Sequence, residues 1–134
     1  MSTGYSGTPL AKKLSLNPGL RAWWEDMPAS VAAEIGDSGV IPLPALEAPI
    51  DAAIIFVTDR ATMEERIAKL RPLLAPTGFL WISWPKKASK VPTDISEDVI
   101  RAVILPATDL VDVKVCAIDT VWSGLKLMIR KELR

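Results

Sequence analysis

The sequence has no histidine in 134 residues, so the side chain that most often moves protons near neutral pH, and most often ligates metals, is missing. It has one cysteine, Cys116, which excludes an internal disulfide, a cysteine-built zinc cluster and a Cys-x-x-Cys redox pair. Net charge is also absent: 16 Lys/Arg balance 16 Asp/Glu, so no global field draws the chain to nucleic acid or a membrane surface. The longest purely apolar run, Ala52 to Val57, falls far short of the ~20 residues a spanning helix needs. The first ten residues carry no basic segment followed by an apolar one, so no secretory signal is expected. Neither a phosphate-binding P-loop nor a dinucleotide glycine signature is present. These absences point to a cytoplasmic protein with no membrane partner, with nucleic acid disfavoured and no metal or cofactor expected.

What remains is the balance of a globular protein, 49% hydrophobic and 24% charged, at a length suited to one domain over residues 1–134. Eleven prolines and seven glycines divide it into short elements. Met1 to Gly7 reads as a loose arm. Thr8-Pro9 reads as an N-cap followed by proline at the first helical position. The helix it opens runs to Leu14, with Leu10 and Leu14 on one face and Lys12 and Lys13 exposed. After an Asn17-Pro18-Gly19 turn, Leu20 to Trp24 forms a first strand. Glu25-Asp26-Met27-Pro28 opens a helix that Gly36 closes at Ile35. Val40 to Pro44, with prolines at 42 and 44, is an edge strand or no strand. Asp51 to Thr58 is a nearly continuous apolar run, the mark of a strand buried on both faces in a parallel sheet.

A helix from about Ala61 places Met63, Ile67, Leu70 and Leu74 on one stripe, with Pro72 tightening its last turn. Pro76-Thr77-Gly78 breaks the chain before a second buried strand, Phe79 to Trp84, and Pro85 to Pro92 is a basic loop. The next helix runs from about Ile95 to near Pro106, with Val99, Val103 and, as a further candidate, Ile104 inward. Asp94, Glu97 and Asp98 crowd its N-terminus, where carboxylates suit the helix dipole. Val113 to Asp119 and Leu125 to Arg130 form an antiparallel hairpin through Thr120-Val121-Trp122-Ser123-Gly124. This alternation predicts an α/β fold: a three-layer α/β/α Rossmann-like sandwich, mainly parallel, with a C-terminal antiparallel hairpin.

Two resemblances follow. Asp51 to Val57, Leu74-Ala75-Pro76-Thr77-Gly78, Phe79 to Trp84, Ile95 to Leu105 and the hairpin to Arg130 resemble the C-terminal half of class I S-adenosylmethionine methyltransferases. That resemblance implies a methyltransferase-like fold. Its usual cofactor turn, Gly-x-Gly after the first strand, is replaced by the glycine-free Glu25-Asp26-Met27-Pro28, a departure that argues against ordinary methyl transfer. Across nearly the whole chain, Tyr5-Ser6-Gly7-Thr8-Pro9-Leu10-Ala11-Lys12-Lys13-Leu14, Pro18-Gly19, Trp84-Pro85-Lys86-Lys87 and Trp122-Ser123-Gly124 are similar to a small bacterial family, domain of unknown function 3052. That likeness carries no catalytic assignment, so no functional residue is transferred from it.

In open α/β sheets, ligands bind outside the carboxyl ends of the parallel strands. Here those ends read Trp24-Glu25-Asp26, Thr58-Asp59-Arg60 and Trp84-Pro85-Lys86-Lys87, with Trp122-Ser123 at the hairpin tip. Tryptophan faces beside an ammonium suit a flat or anionic ligand. The plainer reading has Trp84 and Trp122 covering the sheet end, Lys86, Lys87 and Lys90 solvated, and Asp26 and Asp59 acting as helix caps rather than an acid-base or magnesium pair. Trp81 reads as core, Trp23 and Trp24 face opposite sides, and Cys116 reads as a small core residue. Ser83 and Ser123 have no histidine to activate them, which leaves a lysine as the base in principle. Residues 22–59 hold seven acids and no base, residues 66–90 six bases and no acid. Such blocks pair within the fold or between molecules.

The leading expectation is a non-catalytic methyltransferase-like domain. It would bind an anionic or planar small molecule at Trp84, Lys86, Lys87, Trp122, Ser123, Asp26 and Asp59, with Lys12 and Lys13 joining if the first helix packs beside that edge, or it would engage a protein partner or a second copy. The alternative is an enzyme with an atypical site around Asp26, Asp59 and Lys86, a divergent S-adenosylmethionine-dependent methyltransferase included.

Overall fold

In the computed structural model, which describes residues 8–134, the strands are β1 (Arg21–Glu25), β2 (Ile41–Pro42), β3 (Ile50–Phe56), β4 (Leu74–Pro85), β5 (Leu110–Ala117) and β6 (Trp122–Ile129). The helices are α1 (Leu10–Lys13), α2 (Ala29–Ile35), α3 (Arg60–Leu70) and α4 (Glu97–Ala107). The expected arm, Met1 to Gly7, lies outside the described residues, as does the Tyr5-Ser6-Gly7 part of the resemblance. The sheet order is β2-β1-β3-β4-β6-β5. β1 to β4 run parallel, and β6 is antiparallel to both β4 and β5.

Pleating sends alternate residues of β3 and β4 to two separate cores. Ala53, Ile55, Leu80 and Ile82 pack under Met63 and Ile67 of α3 and Ile100 and Ile104 of α4. Ala52, Ile54, Phe56, Phe79 and Trp81 pack under Leu10 and Leu14 of α1 and Val31 and Ile35 of α2. Both faces of the parallel strands are therefore covered, which is why β3 reads as a nearly unbroken apolar run. The three-layer sandwich and its C-terminal hairpin stand as expected. The weak proline-bearing segment is a two-residue edge strand, β2, as its composition demands.

The local expectations differ from the structure at several places. The strand expected over Val113 to Asp119 is β5, Leu110–Ala117, because pairing with Ile129 begins at Leu110. Pro9, not Thr8, occupies the N-cap of α1, because its backbone is extended (ψ 142°). Leu74 leaves the helical stripe: Pro72 lacks an N–H and turns residues Arg71–Leu73 into a 3₁₀ turn, after which Leu74 already pairs with Ile50 as the start of β4. Pro76-Thr77-Gly78 accordingly lies inside β4 as an irregularity rather than ahead of it. In α4, capped by Ser96, Ile104 is buried as expected, but its buried partner is Ile100, with Val99 and Val103 packed at the margin. Trp122, Ser123 and Gly124 belong to β6, so the hairpin turns over residues 118–121, where Asp119 accepts the N–H groups of Val121 and Trp122.

Candidate functional site

β1 continues into α2 on one face of the sheet, whereas β3 continues into α3 on the other. The chain therefore changes direction between the neighbouring strands β1 and β3, and at such a switch point the crevice outside the carboxyl ends is open to a ligand. Asp26 stands at that crevice, exposed, with a left-handed backbone at φ 55°. Asp is among the few non-glycine residues that tolerate this conformation. The turn thus takes a left-handed bend without a glycine.

Around Asp26 the other polar groups are already engaged. Glu25 ends β1 and meets Arg66 of α3 at 2.6 Å, with the two side chains only 14% and 27% exposed. The contact is ionic without aligned hydrogen-bond geometry. Trp23 donates its indole N–H to the other carboxylate oxygen of Glu25 at 3.2 Å. Asp59 caps α3, accepting the N–H of Thr62 at 2.9 Å, and that bond holds its carboxyl below the usual range. Asp59 is therefore a cap, and among the described residues no hydrogen bond or ion pair links it to Asp26.

The remaining rim residues divide. Trp84, 8% exposed, joins the core under α3 and α4. Trp122 packs edge-on against Phe56 on the opposite face, the ring centroids 5.1 Å apart. Because Trp122 opposes Pro85 and Ser123 opposes Trp84, the pleat separates the two tryptophans that were expected to share a rim. Trp84 and Lys87 instead line a pocket of about 340 Å3 whose far wall is Thr93, Asp94, Ile95 and Ser96, ahead of α4. Asp94 and Thr93 are tied to the β3–α3 junction through Arg60 N–H (2.7 Å) and Thr58 C=O (2.6 Å). Lys86 is anchored by its backbone N–H to the Val121 carbonyl at 2.6 Å. Lys12 and Lys13 sit on the α1 face and do not line this pocket; Lys13 reaches the Ala117 carbonyl.

Trp81 is fully buried, and so is Ser83, whose hydroxyl has no partner among the described residues. Cys116 is half-buried; burial pushes its thiol up, against the pull of Lys13 and Lys114. Ion pairs among the described residues join their carboxylates to arginines, and Lys86, Lys87 and Lys90 enter none of them. Of the two opposed charge blocks, only Glu25–Arg66 joins one to the other among the described residues.

Nothing in the sequence pattern signals a further groove, about 650 Å3, between the C-terminal halves of α3 and α4. At its end Arg71 grips Asp109 through two bonds of 2.6 Å, and this guanidinium holds the Asp109 carboxyl below its ordinary range. A carboxyl lowered on folding stabilises the fold at pH above its unfolded value, and that contribution disappears as pH falls through the lowered value. Asp109→Asn is therefore expected to cost about 1 kcal/mol at neutral pH. In urea titrations the difference from wild type should vanish on acidification below the ordinary carboxylate range; a cost independent of pH would mean that the charge is irrelevant.

This sheet order, with helices on both faces and an antiparallel terminal hairpin, defines a methyltransferase-like Rossmann fold. Solved structures agree. The chain is similar to an S-adenosylmethionine-dependent methyltransferase from Aquifex aeolicus (TM-score 0.61, 16% identity, covering 90% of this chain and 87% of that one). It is similar also to magnesium protoporphyrin IX methyltransferase from Synechocystis with bound S-adenosylmethionine (TM-score 0.55, 13% identity, 88% and 73% covered). A third is Aeropyrum pernix fibrillarin with natively bound S-adenosylmethionine (TM-score 0.52, 12% identity, 93% and 70% covered). At these identities the likeness is one of fold. No family model matches the chain, so the resemblance to domain of unknown function 3052 rests on the quoted motifs alone; no curated protein matches it in sequence. No helix among the described residues is long and apolar enough to cross a membrane.

Proposed function

We propose that this chain is a divergent, cytosolic member of the methyltransferase fold that holds an S-adenosylmethionine-type ligand in the crevice between the carboxyl ends of β1 and β3. The observation that carries this reading is Asp26, an exposed carboxylate on a left-handed turn at the switch point. Non-glycine residues held in such backbone regions cluster at ligand sites. The bound ligand of the similar structures supports the ligand class.

The residues present fit that ligand in one respect and not in another. The turn has the required bend, and the Asp26 carboxylate would take sugar hydroxyls or face the cationic end of the ligand. Glu25 is held by Arg66 and Trp23, and β2 ends at Pro42, followed by Leu43 and Pro44, so no second carboxylate is offered there. Binding is therefore expected to be weak. Such a ligand supplies an electrophilic methyl group; the chain's part is to bind and orient it.

A second reading has its own support. The pocket between Trp84, Lys87 and residues 93–96, whose Lys87 enters no ion pair among the described residues, suits a planar or anionic small molecule bound without turnover. Isothermal titration with S-adenosylmethionine, its demethylated product and simple polyanions separates the two. The first reading expects both adenosyl ligands to bind, Asp26→Asn to weaken them about tenfold (an interaction of about 1.4 kcal/mol), and Lys86→Ala with Lys87→Ala to leave them unchanged. Binding of polyanions alone, lost in the double lysine variant, would transfer the function to the second pocket. No adenosyl binding at millimolar ligand ends the first reading.

A further inference from the structure

We propose that the face of the β5–β6 hairpin beside α1 is an oxyanion site, built by Lys114 and Lys126 with the Ser15 hydroxyl, that takes inorganic phosphate or a phosphate monoester. It lies apart from the β1–β3 crevice and does not depend on the reading given for it.

Lys114 and Lys126 occupy directly opposed positions on neighbouring antiparallel strands. Side chains so placed start about 5 Å apart, and like charges there destabilise the sheet. The fold reaches this arrangement through an irregularity. Asp112 opposes Leu127, yet the next pair is Lys114 with Lys126, so Val113 is the extra residue. In an unbroken ladder Val113 would oppose Lys126; the bulge re-aims a lysine onto that spot. It also leaves Asp112 on the other face, where its carboxylate bonds Arg101 of α4 at 2.9 Å. The nearest carboxylate in sequence is thereby taken away from the two ammonium groups, and neither lysine enters an ion pair among the described residues.

Both lysines reach the C-terminal end of α1. Lys126 Nζ stands 4.5 Å from the centre of the Phe79 ring and donates to Ser15 Oγ at 3.0 Å. Lys114 Nζ approaches the Lys13 carbonyl at 3.5 Å. Ser15 is left-handed, φ 61°, an uncommon backbone for serine that sets its hydroxyl beside Lys126. An ammonium carries three protons, so Lys114 and Lys126 each hold donors beyond the bond just described. Burial, and then the charge of Lys114, press Lys126 below the ordinary lysine range, a penalty that an anion between them relieves. Two ammonium groups from neighbouring strands and a hydroxyl from the end of α1 match a tetrahedral dianion better than a planar carboxylate.

The test uses the full chain. Thermal unfolding is followed with inorganic phosphate, with glycerol phosphate, and with chloride at equal ionic strength; isothermal titration supplies the affinities. Phosphate at ten times its Kd is expected to raise Tm by roughly 5 °C beyond the chloride effect. Lys114 is exposed, so Lys114→Gln keeps the packing. It should raise Tm in phosphate-free, low-salt buffer, because the like-charge pair is gone, and should weaken phosphate at least tenfold. Lys126→Gln should weaken it likewise, and Lys69→Gln on α3 should respond as wild type. Equal stabilisation by phosphate and chloride overturns the proposal, as does an undiminished phosphate response in Lys114→Gln. Tighter binding of glycerol phosphate than of phosphate identifies a phosphorylated metabolite as the ligand; the reverse identifies the free ion.

Discussion

Gly78→Ala is expected to unfold the chain at ordinary temperatures or to lower its Tm by roughly 10 °C or more. β3 and β4 are in register from Ala52–Phe79 onward, but Ile50 already pairs with Leu74, so residues 75–78 leave the ladder and return within it. At the return point the two strands come very close. A methyl group on Gly78 would stand 2.6 Å from the Ile50 carbonyl oxygen, 3.0 Å from the Ala75 carbonyl oxygen and 3.1 Å from the Ala75 nitrogen. All three are backbone atoms of the central sheet, so no side chain can swing away, and relief requires moving β3 against β4. Overpacking of this kind costs about 3 kcal/mol or more, a large share of the ~5–15 kcal/mol that holds a domain together. Gly19 provides the control: its φ is +90° but open space surrounds it, so Gly19→Ala should cost only about 1 kcal/mol of backbone strain. Equal midpoints for the two variants in urea would show that the close approach at Gly78 is not what limits the residue there.

The same bend illustrates what was readable in the chain beforehand. Leu-x-Pro-x-Gly marks a break before a buried strand, and a break is there, but only the pairing of Leu74 with Ile50 shows that it lies within the strand. Elements carried by local periodicity were legible. The apolar run at Ala52 to Val57, the glycine that ends α2 at Gly36 and the proline-bearing edge all follow from spacing and backbone chemistry. The candidate site depends on register instead, and a shift of one residue moves a side chain to the other face. Trp84 and Trp122 were both readable as residues at the carboxyl edge; that they lie on opposite faces follows from the pairing of Trp122 with Pro85 rather than with Trp84. Lys126 meets Lys114 only because of the bulge at Val113. Glu25 finds Arg66 across the switch point, a contact between a strand end and the middle of a distant helix that no short motif encodes. Asp26 was visible as the residue replacing a glycine, but its left-handed backbone was not.

Trp81→Ala is expected to cost about 3–5 kcal/mol, the range for removing a large buried aromatic. Trp81 is wholly buried on the α1–α2 face of β4 and donates its indole N–H to the Leu14 carbonyl at 3.0 Å. Trp81→Phe divides the effect, keeping much of the ring volume while leaving that carbonyl without its donor, for about 1–3 kcal/mol. The four-residue α1 is far too short to persist by helix propensity. It is held by the burial of Leu10 and Leu14, by exposed lysine bonds such as Lys13 to the Ala117 carbonyl, and by this buried indole bond at its C-terminal end. Trp81→Phe should therefore loosen α1 before it loosens the sheet. In hydrogen exchange, the amides of residues 12–16 should lose protection several-fold while those of β3 and β4 lose only what the global destabilisation dictates. Uniform loss across α1 and β4 would mean that packing alone holds the helix. Because Ser15 directly follows Leu14 and receives Lys126, the same substitution is expected to weaken phosphate binding without touching a lysine. That outcome would tie the buried tryptophan to the proposed surface site through the geometry of a single turn.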